Sequence, residues 1–264
     1  MSYKFDVELA TKECIKWIQN WFAAKGVDHL AVVGVSGGID SAVVAALCVE
    51  AFGPERVLGV LLPNGKQNDI SDSKMVIESL QINSYIINIG MTLRSMKLSM
   101  LDADCPISYQ AIVNMAARAR MSMLYSVAQS IKGHVINTSN MSESYVGYDT
   151  LWGDSAGAMS PLAYLTKTEV REIAAYLNAN SAHIKVPSQI IHKAPLDGLC
   201  GKTDEESFGF SYDILDQYLR TGICEDKKIQ DKIVSMHKAS QFKRDMIHLD
   251  SFIWPLNSIG RQAS

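Results

Sequence analysis

The chain has 264 residues, of which 47% are hydrophobic and 20% charged. That is enough for one large α/β domain over 1–264, and it is not the composition of a disordered chain. A net charge of −3, with no polybasic block, excludes a nucleic-acid groove or a charged membrane surface as the basis of function.

The longest apolar run, 42–49, is far short of the roughly 20 residues a membrane span needs. The opening Met1-Ser2-Tyr3-Lys4-Phe5-Asp6-Val7-Glu8 has no apolar core of a signal peptide. Cys14, Cys48, Cys105, Cys200 and Cys224 contain no C-x-x-C pair. They read as reduced, mostly buried thiols of a soluble, cytoplasmic protein, with no zinc-ligand pairing.

Along the chain, Val7, Ala10, Cys14, Trp17 and Trp21 recur at steps of three and four and predict a helix over 5–25, ended by Gly26. An apolar run over 29–35 reads as a buried strand. Residues 41–52 read as a helix stopped by Gly53-Pro54. Strands over 56–62 and 84–89 flank a helix over 71–80. A long helix over 109–131 precedes a strand over 134–137. This alternation predicts a doubly wound, five-stranded parallel sheet with helices on both faces. Residues 181–210 read as irregular, and helices over 211–220 and 225–240 close the pattern. In such sheets ligands bind beyond the carboxyl ends of strands, where strand order reverses. The loops 36–41 and 138–143 both follow strands and are expected there.

Gly34-Val35-Ser36-Gly37-Gly38-Ile39-Asp40-Ser41 joins a strand to a helix. Gly37 and Gly38 let backbone N–H groups turn toward an anion, and the helix presents its positive end to the same place. Ser36 and Ser41 add hydroxyl donors. Asp40 would repel a phosphate unless a cation such as Mg²⁺ stood between them. The string lacks the lysine of a Walker A loop. Thr166-Lys167-Thr168-Glu169 has the form of a capping box, which puts Lys167 in the first turn of a helix. A cation there opposes the helix dipole, so an anionic ligand would explain it. Arg118 and Arg120, two apart on a helix, point to different faces, so at most one is expected at a site. The six histidines show no cluster in the sequence and receive no role.

The Ser-Gly-Gly-x-Asp-Ser string is the signature of ATP pyrophosphatases, which cleave between the α and β phosphates. The chain resembles the ammonia-dependent NAD synthetase family over nearly its whole length. The resemblance rests also on 114–121, 137–143, 165–170 and 202–213, in the family's order and approximate spacing. It implies an adenine nucleotide α-hydrolase-like fold, ATP as co-substrate, and a homodimer with substrate near the subunit boundary. It implies Asp40 and Glu143 as Mg²⁺ ligands, Thr138 and Ser188 as nucleotide contacts, Lys167 on phosphate and Arg118 on the dinucleotide. The implied partners are small molecules: ATP, deamido-NAD and ammonia. With no spare segment of domain size for releasing ammonia from glutamine, free ammonia or another chain would supply the nitrogen.

The acceptor half departs from the family pattern. Leu151 stands where a lysine is usual, Ala158 where an aspartate is usual, and Phe242 replaces the histidine of a His-Lys pair whose lysine is Lys243. Joint loss of charged anchors reads as a repacked pocket, in which Phe242 could stack on a flat ring while Arg118 and Lys243 hold the acceptor. The expected reaction is amide formation on deamido-NAD through an adenylate. Alternatives are a ligase acting on nicotinate mononucleotide or another carboxylate, and an idle nucleotide-binding module. Retention of Ser36, Asp40, Glu143 and Lys167 argues against the last.

Overall fold

The structure, a computed structural model, describes residues 3–66, 70–181, 184–193, 203–246 and 250–254. It opens with α1 (Val7–Lys25), β1 (Leu30–Gly34), α2 (Ile39–Phe52), β2 (Val57–Leu61), α3 (Ile70–Leu80) and β3 (Asn83–Ile86). Then follow α4 (Gly90–Asp102), α5 (Tyr109–Ser130), β4 (Gly133–Ile136), α6 (Met141–Val146), β5 (Met159–Ser160) and α7 (Lys167–Asn180). The remainder holds α8 (Ser188–His192), α9 (Asp204–Phe208), α10 (Tyr212–Thr221), α11 (Lys227–Ala239), α12 (Gln241–Met246) and β6 (Asp250–Ser251).

The strands form one parallel sheet in the order β3-β2-β1-β4-β5-β6. Six strands replace the expected five, because β5 and β6 have two residues each and leave no periodic signal. The chain runs outward from β1 to β3, then returns to place β4 on the other side of β1. That reversal opens a crevice between the carboxyl ends of β1 and β4, as expected.

One core packs α1, α2, α3 and α7 on one face of the sheet; a second packs α4 and α5 on the other. Helix α2 is apolar almost all round, with eleven of its fourteen residues buried, because α1 and α7 cover the sides that the sheet does not. The buried face of α1 runs Ala10, Cys14, Ile18 and Phe22; Trp17 and Trp21 flank it, partly buried. The structure adds α4, which the sequence pattern did not show: only Leu93 of its thirteen residues is buried. It also adds short α8 and α9 within the stretch read as irregular. A third cluster joins α6, α9, α10 and α11 around Phe208, Tyr212, Leu215 and Ile233, beside the carboxyl end of β4. Among the described residues no helix is long and apolar enough to cross a membrane.

Leu47 lies fully buried in the middle of α2. Leu47→Ala should lower the unfolding free energy by about 2–5 kcal/mol, read as a lower urea midpoint at unchanged slope.

Candidate active site

Loop 35–38 leaves β1 where Val35 N–H still bonds the Val60 carbonyl at 3.0 Å, then turns through Gly37 at φ +81°. A Cβ on Gly37 would lie 2.9 Å from Cβ of Asp72 and 3.0 Å from the Ser73 nitrogen. Space and backbone conformation thus both require glycine. Ser41 is buried and braces the loop from within: its Oγ accepts from Ser36 N–H at 3.2 Å and donates to the Gly38 carbonyl at 3.1 Å. The N-cap of α2 is Gly38, which has no side chain to satisfy the first N–H groups of a 14-residue helix. An anion placed there meets unsatisfied donors and the positive end of the dipole.

Helix α2 carries Asp40 in its first turn, α6 carries Glu143, and α7 carries Lys167. The expected capping box is present, with Thr166 as N-cap and Glu169 closing it. These three helix starts converge. Lys167 Nζ lies 2.6 Å from Asp40 Oδ2 and 2.8 Å from Glu143 Oε1, with its side chain only 3% exposed. It also faces the Tyr212 ring, 5.2 Å from the centroid. Asn140 caps α6 by accepting from Glu143 N–H and donates its amide to Asp40 Oδ1 at 3.0 Å. Tyr212 OH donates to Asp204 Oδ2 at 2.9 Å and approaches Glu143 Oε1 at 3.3 Å.

Two carboxylates therefore hold one ammonium, with Asp204 bonded to Tyr212 beside them. Burial works against the Lys167 charge, but Asp40 and Glu143 outweigh it and raise the ammonium above its ordinary value. Glu143 is pushed up to about 7 by burial; Lys167 pulls it back, while Asp40 and Asp204 add to the rise.

The site opens into a cavity of about 1090 Å³ whose lining includes Ser36, Gly38, Asp40, Thr138, Glu143 and Lys167. Arg118, Leu151, Phe242 and Lys243 line it too. Arg118 Nε donates to the Leu151 carbonyl at 3.2 Å. Arg120 borders the cavity too, against expectation: its Nε reaches the Leu62 carbonyl at 3.0 Å on a different wall. The two arginines do point apart, and the cavity is wide enough to meet both. Phe242 is 55% exposed. The Lys243 ammonium holds the Gly147 carbonyl at 2.8 Å and also the Asp149 carbonyl, so it fastens the loop that carries Leu151.

Four expected residues lie outside the lining: Gly37 and Ser41, which shape the turn from within, and Ser188 and Ala158. Ser188 starts α8, exposed and turned to His192 Nδ1 at 3.4 Å; Ile190 and Lys193 reach the cavity instead. Ala158 sits where the chain enters β5, its N–H on the Val135 carbonyl at 2.8 Å. His29 and His134, with no sign of pairing in the sequence, meet at 2.8 Å, at the opposite end of the strands. Cys200, His183 and His248 fall outside the described residues.

Sequence reasoning missed Asn137, Asn140, Asp204 and Tyr212. Asn140 was detectable: an asparagine three residues before Glu143 at a helix start has the form of an N-cap. Asn137, buried, donates to the carbonyls of Asp154 and Ala156 at 2.9 and 3.2 Å and so ties together the loops after β4 and before β5. Nothing local signals that contact.

A parallel doubly wound sheet, with an uncapped helix start and a buried lysine–carboxylate group at its switch point, is a nucleotide-handling α/β architecture. The comparisons narrow this. The NAD synthase family matches over residues 10–248. The NH(3)-dependent NAD(+) synthetase from Pyrococcus furiosus is 41% identical over 199 residues, 75% of this chain and 74% of that one. Among solved structures, the NMN synthetase from Francisella tularensis superposes with a TM-score of 0.82 at 32% identity, covering 94% of this chain and 100% of that one. The NH3-dependent NAD synthetase from Campylobacter jejuni gives 0.71 at 28% identity, covering 93% and 99%. The chain belongs to the NAD synthase family, and with it to the ATP-using carbon–nitrogen ligases.

Gly37→Ala adds roughly 1–3 kcal/mol of strain where the loop must turn. The KM for ATP should rise about tenfold or more with an unchanged far-ultraviolet circular dichroism spectrum.

Proposed function

We propose that this chain joins ammonia to the carboxyl group of deamido-NAD with ATP, releasing AMP and pyrophosphate. The observation that carries the reading is the Lys167 ammonium held between Asp40 and Glu143, beside the open start of α2. A carboxylate is a poor acyl donor because oxide is a poor leaving group. Transfer of AMP from ATP to the carboxylate forms a mixed anhydride and releases pyrophosphate. Ammonia then attacks the acyl carbon, AMP leaves, and the amide forms with loss of a proton. The protein's part is positioning and charge stabilisation. In this reading the 36–41 loop and Lys167 hold the departing pyrophosphate, Thr138 lies against the nucleotide, and Arg118 and Phe242 face the acceptor.

The residues fit a magnesium ion. Asp40 and Glu143 are hard oxygen donors on two converging helix starts, and with one ammonium between them they leave net negative charge. Mg²⁺ is commonly held by one or two carboxylates together with substrate phosphates. When bound it would offset charge on the pyrophosphate. The reading describes a soluble cytoplasmic enzyme with 1–264 as one catalytic unit.

Nicotinate mononucleotide is a second acceptor to test, because the Francisella NMN synthetase superposes with a TM-score of 0.82, against 0.71 for the Campylobacter NAD synthetase. Leu151 and Phe242 stand on the cavity lining together with Arg118 and Lys243. Mass spectrometry of reactions with ATP, Mg²⁺, ammonium and each acid decides. Amide on deamido-NAD is the expected product; amide on the mononucleotide alone transfers the assignment to it. Amide on neither, with an unrelated acid reacting, overturns the pyridine reading. Asp40→Asn should slow pyrophosphate release roughly 100-fold or more with the fold retained. Near-normal turnover at saturating Mg²⁺ would refute the role given to Asp40.

The reading includes a two-fold dimer. Met91, Leu98 and Leu101 of α4 are 72%, 48% and 58% exposed. Such an apolar face suits a self-complementary contact. Light scattering at micromolar concentration should give twice the chain mass, and Leu98→Glu should give monomer.

A further inference from the structure

Lys167 is aimed from the first turn of α7, where backbone N–H groups have no partner within the helix. The N-cap Thr166 satisfies only the N–H of Glu169, at 3.4 Å. The two before it are satisfied from other helices. Lys167 N–H donates to Ser142 Oγ at 3.0 Å, and Thr168 N–H donates to Asp216 Oδ2 at 2.8 Å. Ser142 closes the ring by donating its hydroxyl to Asp216 Oδ1 at 2.5 Å. Ser142 is fully buried and Asp216 is 4% exposed. One carboxylate on α10 thus joins the start of α7 to α6.

The neighbours of these atoms are the site. Ser142 directly precedes Glu143, and Lys167 directly precedes Thr168. Asp216 does not border the cavity. It also lies in a stripe. Tyr212 and Arg220, one turn to either side on α10, share its face. Tyr212 OH approaches Glu143 Oε1 at 3.3 Å, and Arg220 Nε donates to Glu169 Oε1 at 2.7 Å. All three side chains engage α6 or the first turn of α7. A carboxylate at a helix N-terminus is favoured by the dipole; here it comes from a third helix, which makes it a spacer as well as a cap.

We propose that Asp216 is a positioning residue: by holding Ser142 and Thr168 it fixes α6 against α7, and so sets Glu143 against the Lys167 ammonium. The proposal rests on the reading of Asp40, Glu143 and Lys167 as the ATP-activating group. A displacement of about an ångström at such a group costs up to roughly 100-fold in rate, whereas groups that bind only the acceptor are unaffected.

The experiment compares Asp216→Ala, Asp216→Asn, Ser142→Ala and the double variant with the full-length enzyme, per folded molecule and well below the melting temperature. Asp216→Ala should lower kcat for pyrophosphate release about 10- to 100-fold and raise the Mg²⁺ half-saturation severalfold. Its acceptor KM should stay within about twofold. Asp216→Asn keeps the size and an acceptor for Thr168 N–H, and should restore most of kcat. The Ser142→Ala effect should be absorbed in the double variant, because both changes break one network. Wild-type kcat and Mg²⁺ dependence in Asp216→Ala, with only a lower melting temperature, overturn the proposal. If Asp216→Ala does not fold, wild-type kcat in Ser142→Ala overturns it. Lys167→Ala runs alongside: wild-type kcat there refutes the underlying site reading itself.

Discussion

A buried ammonium shared by two carboxylates organises this molecule. Taking Lys167 out of water is costly unless its charge is paired and its hydrogens are bonded. Asp40 and Glu143 supply that pairing from two other helices, and the Tyr212 ring supplies a face. Each carboxylate is then fixed in turn: Asp40 by the Asn140 amide, Glu143 by its place one residue after Ser142 and by the Tyr212 hydroxyl. The polar group sits where α2, α6 and α7 all begin. Their positive ends favour the carboxylates and disfavour the lysine. Two carboxylates and one ammonium leave net negative charge, which the three helix starts offset in part.

The sheet explains how these helix starts come to meet. With β1 and β4 adjacent and successive connections running away from each other, the loops after both strands face one crevice. Ser36–Ser41 and Thr138–Glu143 are a hundred residues apart in the chain but neighbours in the fold. Helix α2 is apolar almost all round and buried between sheet, α1 and α7, so its first turn is held by a rigid body rather than by a flexible loop.

Much of this was legible in the sequence, for identifiable reasons. The strand–helix alternation reported the parallel sheet because its central strands are buried on both faces. The capping box at Thr166 and Glu169 located Lys167 correctly because a cap is a local contact. Elements escaped where local pattern was weak: β5 and β6 for their length, and α4 for its exposed surface. Individual side chains escaped where their partners were remote. Asp216 serves residues more than forty positions away, and no spacing rule reports that. Ser188 and Ala158 were matched by sequence position, yet one stands on an exposed helix start and the other belongs to sheet backbone. Position within a motif is not position within a cavity.

Asn137 gives the fold a mechanical property of its own. Its buried amide grips the carbonyls of Asp154 and Ala156 while its oxygen takes the Ser139 N–H and the Ser160 hydroxyl at 2.9 and 2.8 Å. A Cβ on Gly157 would come within 2.8 Å of the Asn137 nitrogen. The loop after β4 and the loop before β5 are thus clamped to one residue and cannot be re-spaced independently. In the proposed reading, a lineage built on this frame can change which acid it accepts by exchanging side chains outside the clamp, as at Leu151 and, on α12, Phe242. Moving the loop backbone itself would disturb the ATP half in the same stroke. The clamp therefore separates what is free to diverge from what is not.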